Sequence, residues 1–218
     1  MTGFAQGINT VLSSEITKYL VLGDSSHGTT SLNCLAAAIQ AGALHPLSQY
    51  KVSTVLFEGA RRGQELTANH GAFAKAVTIL AKNGVLVYGC EDDKSLSTEA
   101  QADKMYLNAG SYGDSFQSEL QKVMDKRIPD ANDSWLAQAL SAKPKVIICC
   151  GTSHLPQYNH LTHGHMGLIK ALDQHGLCYG FAVEASNTDD PYWYEPEQPK
   201  GVFGKVETID EYPGWDNL

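Results

Sequence analysis

Tyr19-Leu-Val-Leu-Gly-Asp-Ser-Ser-His-Gly-Thr-Thr30 is the stretch from which the rest of the chain can be read. Tyr19 to Leu22 form an apolar strand core. Gly23 ends it, and a polar turn carrying Asp24 and His27 follows, with the small Gly28 leaving room beside the ring. Thr29, Thr30 and Ser31 are all suited to cap a helix. Leu32, Leu35, Ala36 and Ile39 then recur at helical spacing. The pattern is strand, polar loop, helix, with a carboxylate and an imidazole at the carboxyl end of the strand, the edge where open α/β sheets bind ligands. Val146-Ile-Ile-Cys-Cys-Gly-Thr-Ser-His154 repeats the pattern and places a second histidine in a polar loop after a buried strand.

Outward from these two segments, apolar strands are expected at 52–57, 85–89 and 178–183, with a weaker one near 202–209. Helices are expected at 1–18, 31–43, 63–82, 97–140 with a break at Pro129, and 166–175. The strands are apolar without alternation, as in strands buried on both faces. Strands alternating with helices imply right-handed crossovers. The expected fold class is α/β: a mainly parallel sheet flanked by helices, in one domain. Residues 1–184 are read as the core. Residues 185–218, rich in Asp, Glu, Pro, Tyr and Trp, are read as an irregular acidic cover or a tail open to a protein partner.

The chain has 218 residues, 43% hydrophobic and 18% charged, enough to fill a sizeable core and too few charges for a disordered chain. The net charge is −8, and no Lys/Arg cluster exceeds two adjacent residues, so nucleic acid is not an expected partner. No apolar run is long enough to span a membrane. The start of the chain does not read as a secretory signal, so a cytoplasmic location is expected, with a secreted effector as the alternative. The five cysteines are expected to be free buried thiols.

Every expected strand end carries a polar group: Asp24 and His27; Glu58, Arg61 and Arg62; Glu91, Asp92 and Asp93; His154, with Ser153 beside it; and Glu184. If the strands are parallel, these ends share one edge. A neutral His can take a proton from water near pH 7, a neighbouring carboxylate orients the ring, and a second His or an Arg can stabilise oxyanion charge. Two His and a carboxylate can instead hold a divalent metal that acidifies its water. Arg61, Arg62, Glu91 and Ser153 are the candidates for substrate contact. His160, His163 and His165 make a rival His-rich cluster with His154. Ser25, Ser26 and Ser153 lack the Gly-x-Ser-x-Gly elbow of a serine nucleophile. Cys90 reads as a packing thiol.

Leu22-Gly-Asp-Ser-Ser-His-Gly-Thr29 resembles the Gly-Glu-x-x-His-Gly-Thr signature of the erythromycin esterase / ChaN-like superfamily, which also holds the TraB and Tiki proteins. Val55-Leu-Phe-Glu-Gly59 is similar to its second motif and Cys150-Gly-Thr-Ser-His-Leu-Pro156 to its third. Asp24 stands where the signature has Glu. Family members often carry an Arg in the middle region; Glu99 to Met105 has none, leaving Arg61, Arg62 or Arg127 to serve. The resemblance implies hydrolysis of lactone esters, as in the metal-independent esterases, or of peptides, as in the metal-dependent Tiki type. On that expectation His27 is the base, Asp24 and Glu58 orient it, and His154 is a second acid/base. If one divalent metal is bound, His27, Glu58 and His154 are its ligands. The substrate would be a small molecule or a peptide. A catalytically inactive haem-, metal- or partner-binding module of the same fold is the alternative.

Overall fold

The apolar segments pair into one sheet of order β1-β7-β6-β2-β5-β3-β4, and every pairing between these strands is parallel. The computed structural model describes residues 2–69, 71–108, 114–155, 167–184, 205–213 and 216. The strands are β1 Thr2–Gly3, β2 Tyr19–Asp24, β3 Thr54–Arg61, β4 Leu86–Glu91, β5 Val146–Gly151, β6 Cys178–Glu184 and β7 Lys205–Asp210. The helices are α1 Phe4–Ser13, α2 Thr29–Gln40, α3 Ala74–Lys82, α4 Asp93–Asn108, α5 Asp114–Ser141 and α6 Leu168–Asp173.

Successive residues of a strand point to opposite faces, and here both faces are covered. Leu20, Leu22, Val55, Phe57, Ile147 and Cys149 pack with α1, α2 and α3. Tyr19, Val21, Leu56, Ile148 and Cys150 pack with Ala131, Trp135 and Ala139 of α5 and Leu168 to Leu172 of α6. This explains the unbroken apolar runs. All five cysteines are buried and free. Among the described residues, no helix is long and apolar enough to cross a membrane.

Three expectations need correction. Pro129 does not break the middle helix, because α5 runs through it for 28 residues. Proline costs about 3 kcal/mol in a helix interior. Ile128 and Trp135 are completely buried beside it, and each such side chain returns about 1.5–3 kcal/mol. Next, the helix expected at 63–82 begins only at Ala74. Residues 62–66 instead return along the outer edge of β4, where Leu66 N–H donates to Val87 O at 2.8 Å and Gly89 N–H to Gln64 O at 2.9 Å. To get there, the backbone of Ala60 and Arg61 crosses Gly89 so closely that a Cβ there would lie under 3.0 Å from it. Last, the core extends past 184 through the weaker strand expected near 202–209. Residues 205–210 form β7 beside β6, and β1, unforeseen because it is two residues long, pairs with its end at Ile209 and Asp210. The core boundary drawn at 184 therefore falls inside the sheet. Residues 185–204, most of the segment offered as a partner surface, lie outside the described residues.

The chain passes from β2 to β3 and β4, returns to insert β5 between β2 and β3, and then crosses to β6 on the other side of β2. That reversal makes a topological switch point at the carboxyl ends of β2 and β5.

Candidate active site

Three neighbouring strands, β2, β5 and β3, bring His27, His154 and Glu58 to this edge. The loop that presents His27 is fastened by Asp24. The Asp24 carboxylate is buried and accepts backbone N–H bonds from Ser26 at 2.7 Å, Gly28 at 3.0 Å and Ser31 at 2.7 Å. Ser31 lies in the first turn of α2, where the helix dipole favours a negative charge. Burial raises the Asp24 pKa against the pull of these donors. Asp24 thus clamps the loop and does not itself orient His27, the role expected of it. His27 and Gly28 both have left-handed backbones, φ 53° and 85°, a conformation uncommon for a residue other than glycine. Gly28 is required for more than room beside the ring: a Cβ there would lie under 3.0 Å from the Cys149 carbonyl.

The imidazole of His27 is 71% exposed, and its Nδ1 meets Glu58 Oε1 at 3.1 Å. Glu58 is buried at the centre of the cluster. Its Oε2 accepts the Gly151 N–H at 2.6 Å, and its Oε1 also accepts from Arg127 Nη2 at 3.0 Å. Burial alone would raise the Glu58 pKa. The hydrogen bond from His27, with the charges of His154 and Arg127, outweighs burial and holds it down to about 2. The same hydrogen bond raises the His27 pKa above its ordinary 6.5, against burial and the Arg127 charge. His27 is therefore oriented by a carboxylate that stays ionised.

Arg127 ties the cluster together from α5. Nη2 also donates to Glu91 Oε1 at 2.7 Å and lies 3.6 Å from Glu99 Oε2, while Nη1 donates to Ser95 Oγ at 2.9 Å. Ser95 Oγ in turn bonds Glu91 Oε2. Burial pushes Glu91 up to about 7 against the Arg127 charge and the Ser95 hydrogen bond. Three carboxylates thus share one guanidinium.

His154 is buried against the Trp135 ring, with centroids 4.2 Å apart. Its Nδ1 bonds Asn132 Oδ1 at 2.7 Å, which assigns the proton to Nδ1 and leaves Nε2 unprotonated, 3.9 Å from Glu58 Oε1. Burial pushes the ring down to about 4, so it is neutral at physiological pH. An unfolded chain protonates His154 near 6.5, whereas the folded chain resists until about 4. The stabilisation is therefore complete above pH 6.5 and is lost as pH falls toward 4, by about 3 kcal/mol in all. Glu91, raised from 4.5 to about 7, works in the opposite sense between those values but is common to any His154 variant. The stability margin of wild type over His154→Gln should thus shrink by about 3 kcal/mol between pH 7 and pH 4, read by urea denaturation. A margin independent of pH would contradict a neutral buried ring.

The candidates for substrate contact fare unequally. Ser153 borders the site: a Cβ placed on Gly151 would lie 3.7 Å from Ser153 Oγ, 3.4 Å from Glu58 Oε2 and 3.6 Å from His27 Nδ1. Arg61 pairs with Asp93 at 2.9 Å and Arg62 Nε bonds Gln138 at 3.2 Å. Both are exposed, and neither bonds His27, Glu58 or His154. Glu91 is fully buried beneath Arg127, so it is a counter-ion and not a substrate contact. The Cys90 thiol is buried, bonded to Phe57 O, and raised in pKa by burial, consistent with a packing role. His160, His163 and His165 lie outside the described residues.

No family model, curated protein or solved structure matches the chain. Among the described residues, one set of possible metal-ligand atoms converges, those of His27, Glu58 and Glu99, all within 4.8 Å of one another. Glu99 takes the place expected for His154. One imidazole and two carboxylates suit zinc or manganese, but such an ion must compete with the proton that His27 Nδ1 shares with Glu58.

Arg127 was one of three arginines the sequence left open; Ser95, Glu99 and Asn132 were not foreseen. A signal for them does exist. Ser95 and Glu99 are four apart and share a face of α4. Arg127 precedes Ala131 by four residues and Trp135 by eight, a cation in the apolar stripe of α5.

Proposed function

We propose that this protein is a hydrolase of ester, lactone or amide bonds, of the erythromycin esterase / ChaN-like type, in which His27 activates water. The observation that supports this reading is the exposed His27 ring, tied through Nδ1 to the buried, ionised Glu58 at 3.1 Å. With Nδ1–H donated to Glu58, the neutral ring turns an Nε2 lone pair toward solvent. Nε2 takes a proton from water as the water oxygen bonds to the substrate carbonyl carbon. Glu58 stabilises the imidazolium that forms. The imidazolium then returns the proton to the departing oxygen or nitrogen as the C–O or C–N bond breaks, giving an acid and an alcohol or amine. Ser153 lies beside Gly151, and the neutral His154 holds Nε2 3.9 Å from Glu58 Oε1.

A metal-assisted form of the same reaction is favoured by the grouping of His27, Glu58 and Glu99; the ion would acidify the attacking water. Hydrolysis of p-nitrophenyl esters, lactones and short peptides, with chelator or with added manganese or zinc, separates the readings. Turnover that survives chelation selects His27 as base. Turnover that appears only with metal selects the ion. No turnover in either arm leaves the inactive binding module.

The base works only when neutral, and its pKa lies above 6.5. The acid limb of kcat/KM should accordingly fall above pH 6.5 in the wild type. It should move to lower pH in Glu58→Gln, which loses the bond that favours the protonated ring. A limb that stays put would remove Glu58 from this role.

A further inference from the structure

We infer that Glu91 and Ser95 are positioning residues that fix the Arg127 guanidinium, so that Glu58 Oε1 accepts from Arg127 and His27 together and keeps the ring oriented. This extends the hydrolase reading above to residues that no substrate can touch. Glu58 Oε1 serves two donors at once, Arg127 Nη2 at 3.0 Å and His27 Nδ1 at 3.1 Å. One carboxylate oxygen can accept from both, but the permanently charged guanidinium is the stronger partner, and a shift of Arg127 further onto Oε1 would weaken the bond to the ring. What restrains it lies on its far side. Glu91 Oε1 takes the same Nη2 at the shorter distance of 2.7 Å, and Ser95 Oγ takes Nη1 at 2.9 Å. Ser95 also bonds Glu91, so the two form one anchor. Glu91 is completely buried at the end of β4, and Ser95 is completely buried in α4. The groups facing Arg127 from the surrounding elements are Glu58 on β3, Glu91 on β4, and Ser95 and Glu99 on α4.

The ring of His27 reports this balance independently of any reaction. At a pH where the ring is neutral, a bond to Glu58 fixes the tautomer with the proton on Nδ1. A ring released from Glu58 reverts to the tautomer protonated on Nε2 that predominates in free imidazole side chains. The test is to label the histidines with ¹⁵N and compare wild type with Glu91→Gln, Ser95→Ala and Ser95→Thr. Expected is a majority Nδ1–H tautomer of His27 in wild type and in Ser95→Thr, which keeps the hydroxyl, and a shift toward Nε2–H in Glu91→Gln and Ser95→Ala. With an ester substrate in hand, these two variants should lose roughly tenfold in kcat with little change in KM, the loss expected of a misplaced base. Unchanged His27 signals in folded Glu91→Gln and Ser95→Ala overturn the inference. If Glu91→Gln does not fold, Ser95→Ala alone decides it. A tautomer shift in a protein that hydrolyses nothing supports the anchor and removes the hydrolase reading.

Discussion

His27→Ala should lower kcat for hydrolysis by about 10²–10⁴, the usual worth of a positioned base, while leaving the fold intact. The ring is 71% exposed and, among the described residues, is hydrogen-bonded to Glu58, so little packing goes with it. Circular dichroism should match wild type and the urea transition should stay cooperative at a modestly lower midpoint, because buried Glu58 loses one of its donors, which separates a lost base from a lost fold. His27→Gln should behave in the same way, because an amide fills similar space but cannot take up the proton. A folded His27→Ala protein with near-full turnover would falsify the base assignment, whatever substrate is used.

Arg127→Met should have the largest effect on stability, a loss of about 3–5 kcal/mol at pH 7. The side chain is 5% exposed and compensates Glu58 and Glu91, themselves 2% and 0% exposed. Removing one partner of a buried ion pair strands the other charge in a medium that solvates it poorly. The deficit should also depend on pH. Without the guanidinium the stranded carboxyls hold protons in the folded state at pH values where the unfolded chain has released them, so the variant loses further stability as pH rises. Its unfolding free energy should therefore lie closer to wild type at pH 5 than at pH 8. A loss of less than about 1 kcal/mol at pH 7 would mean that Arg127 is not the charge that holds the cluster together.

Much of this arrangement was legible in the chain because its decisive elements are local. The apolar run before Asp24 and the one before Gly151 are strands by composition alone, and each hands its histidine to a polar loop within a few residues. Glu58, closing the apolar run Val55–Phe57, could be placed by the same rule. The assignment failed where long-range geometry decides. Asp24 stands three residues from His27 in sequence, but its oxygens are taken by backbone N–H groups at the start of α2, and the carboxylate that meets the ring comes from another strand. Arg127 and Glu99 come from the two long helices, and their approach to Glu58 depends on how those helices lie on the sheet, which no local pattern encodes. Pro129 misled for a related reason: a local rule favoured a break, and the burial of its neighbours outweighed it.

The crossing at Gly89 also bears on how the molecule behaves at high concentration. A parallel sheet normally ends in a strand whose outward N–H and C=O groups can template a strand from another chain. On β4 the carbonyls of Val87, Gly89 and Glu91 and the Gly89 N–H are bonded to residues 62–66 of the same chain. Any side chain at position 89 would push the crossing strand away and uncover them. Gly89 thus keeps this margin of the sheet from acting as a seed for aggregation, two residues before Glu91 of the charged cluster.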